Sequence, residues 1–373
     1  MLDNRKFNSD TPRSSKKKSK NITEPSNFLS FDKLIYHPEK LVGYKEDKNV
    51  FPITATLSLG NYCNHGCLWC STAYWRQDDA NSIDYIKIVK WLVNAKKKGL
   101  KGVGYVGNGE PLAYKKFLDL IRKVNEMGLD QGVFTNGYLI DRFMDELLNS
   151  FTYIRISLDA GSKEIHSTLH DVSSTHFIKI IKNIENLTKR RKKKSPTVGV
   201  QFATHQRNVY DLEKCIVICK DIGVDYVSVK PVFDRGSVND KIEKNSLKPK
   251  DVSKIVEKLR KYENESFKIF FREFQFESEN VGFNVLDYNR CYAGYFGVNI
   301  YEDGTITGCG PHHIPVGNLD TNFNDLEKNI VKVSKNLDLK KCPAGCRFHP
   351  MNRLLHKLKN KESFAKDEHI NLI

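Results

Sequence analysis

The chain has 373 residues, a formal charge of +15 and 39% hydrophobic residues, enough for a large packed domain with a smaller one beside it. No run of about 18 apolar residues occurs, which excludes a helical membrane span, and the polar N-terminus lacks the apolar core of a secretory signal. A cytoplasmic protein is expected, whose clustered thiols serve as metal ligands or redox groups rather than disulfides.

Residues 1 to about 30 are basic and poor in large apolar groups, so the N-terminal tail is expected to be disordered. From there the chain alternates strand-like and helix-like segments. PITATLSLG reads as a strand leading into a cysteine-rich loop, and Ile86, Val89 and Leu92 mark one face of a helix ending near Lys98. VGYVGNGEP is the next strand and FLDLIRKVNEMG a helix closed by glycine. GVFTNG, YIRISLDA, TVGVQFAT and DYVSVKPV follow as apolar strands separated by helical patterns. Six strands with intervening helices imply a parallel sheet of right-handed βαβ crossovers, whose function gathers at the carboxyl ends of the strands. Beyond about residue 281, FGVNIYEDGTITGCG reads as a hairpin turning at Asp303-Gly304, followed by a helix from about Asn324 to Leu337 and a basic helix from about Pro350. Much of the charge lies in the tail (Arg13, Lys16, Lys17, Lys18, Lys20), in Lys96 to Lys98 and in KRRKKK from Lys189. The last two runs close helices, where cations suit the dipole, so solvated faces are expected rather than a nucleic-acid partner.

The stretch SLGNYCNHGCLWC places Cys63, Cys67 and Cys70 on one short loop after the first strand. Three thiolates can hold three irons of a cubane cluster and leave the fourth iron open for chemistry. A zinc knuckle completed by His65 or a distant side chain is the alternative. Together with Trp69, these cysteines form C-x3-C-x-aromatic-C, and here the chain resembles the radical S-adenosylmethionine (SAM) enzymes. The resemblance implies an α/β fold, a partial (βα)6 TIM-like barrel. It also implies a [4Fe-4S] cluster whose open iron chelates SAM and whose electron releases a 5′-deoxyadenosyl radical. Further motifs extend the resemblance over about residues 50 to 235. Gly107, Asn108, Gly109 and Glu110 stand where the family has its GGEP strand facing the methionine amino group, with Asn108 in place of the usual small residue. Asn136 follows the third strand, and Ser157 and Asp159 in SLDA are expected near the SAM carboxylate or ribose. Gln201 and Thr204 occupy the fifth-strand position without that strand's glycine-rich form.

Of the other cysteines, Cys215 and Cys219 lie four apart on one helical face with Leu212 and Ile216, as core residues would. Cys291, Cys309, Cys342 and Cys346 suit a four-thiolate site, since a hairpin would join the first two and the later C-x3-C would close the tetrad. Zinc would accept the same set. CYAGYFGVNIYEDGTITGC resembles the opening of the SPASM and twitch extensions of radical SAM enzymes. With four cysteines rather than seven, the resemblance implies a twitch domain carrying a second, auxiliary [4Fe-4S] cluster used in electron transfer, although its C-x3-C departs from the more usual C-x2-C. His312, His313 and His349 are nearby candidates for a ligand or base.

The expected organisation is a tail at 1–45, a radical SAM core at 46–280, the twitch-like unit at 281–350 and a C-terminal helix and tail at 351–373. The expected reaction is hydrogen abstraction from a small molecule of sugar, aminocyclitol or nucleoside type, of oxidoreductase or epimerase kind, with flavodoxin or ferredoxin as reductant. Peptide maturation and RNA modification are the alternatives. Peptide maturases often carry a leader-binding module of about 80 residues, and only about 50 residues precede the first strand here. No catalytic acid or base is assigned; Tyr74, Trp75, Arg76, Lys230, Asp234 and Arg235 follow strand ends and are candidates to line the barrel mouth.

Overall fold

A computed structural model describes residues 31–48, 50–73, 81–232, 243, 245–277, 288–342 and 346–360. Seven strands run parallel in sequence order: β1 (Thr54–Ser58), β2 (Gly102–Val106), β3 (Asp130–Thr135), β4 (Tyr153–Ser157), β5 (Thr197–Thr204), β6 (Tyr226–Pro231) and β7 (Lys268–Phe271). The six strands expected from the sequence are all present. The seventh, KIFF, spans four residues, too few for an alternating pattern to be legible.

The helices between these strands follow the sequence cues. Helix α1 (Tyr85–Lys98) starts where the Asp84 side chain accepts from the Lys87 amide at 2.9 Å and stops at Gly99, in the left-handed region at φ +112. Its buried face is Ile88, Trp91, Leu92 and Ala95, whereas Ile86 is 72% exposed, so the stripe lies a little around the helix from the one expected. Helices α2 (Phe117–Glu126), α3 (Met144–Ser150), α4 (Lys163–His170), α5 (Thr175–Arg190) and α6 (Leu212–Asp221) cover the outer face of the sheet. Cys215 and Cys219 are fully buried in α6, in the same core cluster as Leu212 and Ile216, with their sulfurs 3.9 Å apart.

The C-terminal segment continues the same sheet. Strand β8 (Gly297–Ile300) pairs parallel with β1, and β9 (Thr305–Thr307) and β10 (Pro315–Asn318) add antiparallel, giving the order β10-β9-β8-β1-β2-β3-β4-β5-β6-β7. The β8–β9 hairpin turns at Asp303 and Gly304, the latter at φ +86. Helix α7 (Pro249–Leu259) precedes β7; α8 (Phe323–Asn336) and α9 (His349–Lys359) follow the hairpin. Within the segment 1–45, residues from Phe31 onward form short helical turns, and Tyr44 is buried with its hydroxyl donating to the Leu355 carbonyl at 2.7 Å. Asp47 accepts from Tyr295 at 2.7 Å and pairs with Arg290 and Lys335, tying the entry to the first strand onto the C-terminal unit. Among the described residues no helix is long and apolar enough to cross a membrane.

Candidate active site

The cysteine loop leaves the carboxyl end of β1 and is stitched to the end of α4: Gly66 N–H donates to the His170 carbonyl at 2.8 Å and Leu68 N–H to that of Leu169 at 2.9 Å. Its other side rests on the turn after β2, where the Glu110 amide donates to the Tyr62 carbonyl at 2.8 Å. That approach requires Gly109, because a Cβ there would run into the Tyr62 carbonyl. Gly107, at φ +154, lies against Ser58 in the same turn.

Each of the three thiols is half-buried and meets a different neighbour. Cys63 lies 4.0 Å from the Asn136 amide nitrogen, which also donates to Asn64 Oδ1 at 2.8 Å. Cys70 is 3.3 Å from the Thr72 hydroxyl, which donates to the Asn108 carbonyl. Cys67 is 3.1 Å from His170 Nδ1, a partner sequence reasoning missed. The Leu158 carbonyl, 3.1 Å from His170 Nε2, can only accept, so the neutral ring protonates Nε2 and leaves Nδ1 to accept from the thiol. Burial keeps that ring neutral by lowering its pKa.

The carboxylates expected to face SAM are engaged by the protein. Glu110 is buried and accepts from Leu112 N–H at 3.1 Å, Thr135 Oγ1 at 2.6 Å and Asn136 N–H at 2.9 Å, which locks the ends of β2 and β3 together. Burial raises its pKa, against the pull of those three donors. Asp159 accepts from Ala203 N–H at 2.7 Å and from Trp69 Nε1 at 3.3 Å, so it fixes the indole of the cysteine motif on the ends of β4 and β5. Strand register sets Ser157 beside Gln201 and Gln201 beside Ser228, all on the lumen face, with Lys230 two residues further on. Thr204 is fully buried and its hydroxyl has no partner.

Asn108, the departure from the family motif, finds its reason in the C-terminal unit. Its Nδ2 donates to Glu302 Oε1 at 2.9 Å, and Ser58 Oγ donates to Glu302 Oε2 at 2.8 Å. Glu302 is buried at the turn after β8 and so braces the GNGEP turn from the far side of β1. The sequence gives no signal for this pair because its members are 194 residues apart.

Cys291, Cys309 and Cys342 are buried, and Cys346 is half-buried. Asn352 Nδ2 donates to Cys291 at 3.3 Å, and His312 Nε2 lies 3.2 Å from Cys342. His349 Nδ1 meets the Tyr288 hydroxyl instead, and His313 packs beside Tyr301 with ring centroids 5.1 Å apart. Burial pushes Cys309 and Cys342 up to about 12, and the nearby thiols add to the rise: Cys291 and Cys346 act on both, and Cys309 also on Cys342. Thiols that repel one another this way form a donor set for a cation. Among the described residues, the tight group of potential ligands is His65, His166 and His170, whose ligand atoms lie within 4.8 Å of one another. The histidine group is packed rather than convergent. His166 and His170 stack at 4.2 Å with planes 24° apart, which aims their lone pairs in parallel, and His166 is pushed down to about 2 by burial and the neighbouring rings. Tyr74, Trp75, Arg76, Asp234 and Arg235 lie outside the described residues.

Comparison with known proteins gives the site its context. Residues 57–215 match the model of the radical SAM superfamily. The tungsten-containing aldehyde ferredoxin oxidoreductase cofactor-modifying protein of Pyrococcus furiosus is 27% identical over 234 residues, covering 60% of this chain and 64% of that protein. A probable GTP 3′,8-cyclase of Methanocaldococcus jannaschii is 26% identical over 172 residues, covering 45% of this chain and 55% of that one. The matches thus span less than two thirds of the length of these relatives. In fold, the chain is similar to Streptococcus suis SuiB, with a TM-score of 0.64 at 18% identity for the forms bound to S-adenosylmethionine and to the precursor peptide SuiA. The peptide-bound likeness covers 87% of this chain and 79% of SuiB.

Proposed function

We propose, from the premise that residues 57–215 are a radical SAM superfamily domain, that the chain is an enzyme that cleaves SAM reductively at Cys63, Cys67 and Cys70 and abstracts hydrogen from a peptide. A [4Fe-4S] cluster and SAM come with that domain. When bound, they supply an electron and a 5′-deoxyadenosyl radical. The observation that carries the reading is three half-exposed thiols on one loop, each with its own orienting neighbour. Three ligands leave one iron for the amino and carboxylate groups of SAM.

The residues of the chain divide the remaining work. The backbone of Gly107, Asn108 and Gly109 would face the methionine end, and Ser157 the carboxylate or ribose. Glu110, Asn136 and Asp159 would act mainly by holding the loop and Trp69 in place, since their polar atoms are already engaged. Cys291, Cys309, Cys342 and Cys346 would hold an auxiliary [4Fe-4S] cluster in a twitch-like unit. With four thiolates it has no open iron, so its role would be to take the electron left on an oxidised substrate.

The sequence favours a small molecule; the comparisons support the peptide alternative better. SuiB bound to its precursor peptide is similar in fold over 87% of this chain. Anaerobically reconstituted protein should bind about eight irons and about four after Cys309→Ala with Cys342→Ala. With dithionite it should form 5′-deoxyadenosine from SAM, faster with a precursor peptide encoded beside it. Acceleration by a sugar or aminocyclitol and not by peptide would return the small-molecule reading, and no SAM cleavage with intact clusters would end both.

A further inference from the structure

The lumen face of strands β3 to β7 carries positive charge that, among the described residues, no carboxylate pairs. Arg155 on β4 pairs in register with Phe134 on β3 and Gly199 on β5, and Gly199 with Tyr226 on β6. Alternation puts Arg155 on the face opposite the fully buried Ile154 and Ile156, that is, on the lumen side with Ser157. Its guanidinium lies over the Phe134 ring at 4.2 Å, and its Nε is buried with no hydrogen-bond partner. Arg272, just past β7, reaches the same face, where its Nε donates to the Ser228 hydroxyl at 3.2 Å. The Tyr226 ring packs directly on Gly199, where a Cβ would run into it.

A third guanidinium, Arg347, closes the group from the C-terminal side. Its side chain is exposed, and its charge acts on both Arg155 and Arg272. The charges act on one another. Burial chiefly, then the charges of Arg155 and Arg347, pushes Arg272 down to about 10. Arg347 has Cys346 and Cys309 as neighbours of opposite charge once ionised, so an auxiliary cluster would balance it. Among the described residues neither Arg155 nor Arg272 makes a salt bridge. Like charges gathered in a chamber of reduced dielectric cost free energy unless an anion enters it.

We infer that Arg155 and Arg272 form an oxyanion site in the lumen, which takes a carboxylate or phosphate group of the substrate. The inference rests on reading the lumen as the substrate chamber of the radical SAM domain. A planar guanidinium can take either oxyanion through paired N–H bonds, and the two arginines stand on one face of the sheet with β5 and β6 between them. For a peptide, the carboxylate would be an acidic side chain or the terminus.

Anion binding tests this without any turnover. Thermal unfolding of the full reconstituted protein, at ionic strength held constant with potassium chloride, is followed while inorganic phosphate, glutarate or uncharged glutaramide is added. A saturable rise in Tm is expected with phosphate or glutarate and none with glutaramide. Phosphate alone would assign a phosphate ester, and glutarate alone a carboxylate. Arg155→Gln and Arg272→Gln should each weaken the apparent affinity about tenfold, with partial recovery in Arg155→Lys and Arg272→Lys and no change in the surface control Lys250→Gln. Circular dichroism checks that each variant is folded. No saturable shift with either anion, or one that survives unchanged in the folded double Gln variant, overturns the inference. Loss of SAM cleavage with anion binding intact would instead overturn only the proposed function.

Discussion

The two cysteine groups of this chain are built on opposite principles. Cys63, Cys67 and Cys70 share one loop of eight residues and stay half-exposed, while Cys291, Cys309 and Cys342 are buried and come from separate stretches of the C-terminal unit. The first group is shaped by hydrogen bonds to the loop and opens onto the strand ends. The second is shaped by packing, and its thiols are costly to ionise. An open site can exchange a ligand, and an enclosed one can pass an electron but admits little else. Glu302 joins the two regions by bracing the GNGEP turn from the hairpin.

That contrast can be broken at several points. Replacing Cys63, Cys67 or Cys70 with alanine should lower 5′-deoxyadenosine formation by about a thousandfold or more, because the ligands act as a unit; Cys309→Ala should leave measurable cleavage. Equal loss in both groups would erase the distinction. Asp47→Asn should cost about 2 kcal/mol in chemical denaturation by removing charged hydrogen bonds from Arg290, Tyr295 and Lys335. Burial opposes ionisation of Asp47, but those three partners outweigh it and hold its folded pKa well below the usual carboxylate range. Its stabilisation is therefore complete above the unfolded-state pKa and fades as the pH falls toward the folded one, so wild type and Asp47→Asn should converge in strong acid.

Glu302→Ala should raise the KM for SAM about tenfold with a smaller change in kcat, since it loosens the turn rather than the thiols. Glu302→Gln, which keeps one acceptor for Asn108 or Ser58, should recover part of that loss. A fall in kcat alone would place Glu302 elsewhere in the mechanism. The smallest effect is expected at Cys215→Ala, about 1 kcal/mol of stability from lost packing with SAM cleavage retained, which separates the core thiols from both cysteine groups.

Local pattern determined much of this protein. Strand and helix order, the end of α1 near Lys98, the hairpin at Asp303 and Gly304 and the burial of Cys215 and Cys219 are all legible because each depends on residues close in sequence. The three-cysteine motif is legible for the same reason. Tertiary structure alone decided the rest: β8 docks parallel on β1, His170 meets Cys67, Asn108 meets Glu302, and Arg155 and Arg272 share one face. These contacts join residues 103 to 243 positions apart, and a chain carries no periodic trace of which distant polar group it will meet. Sheet register and burial make that choice, because a buried donor or charge must find a partner in whatever strand comes to lie beside it.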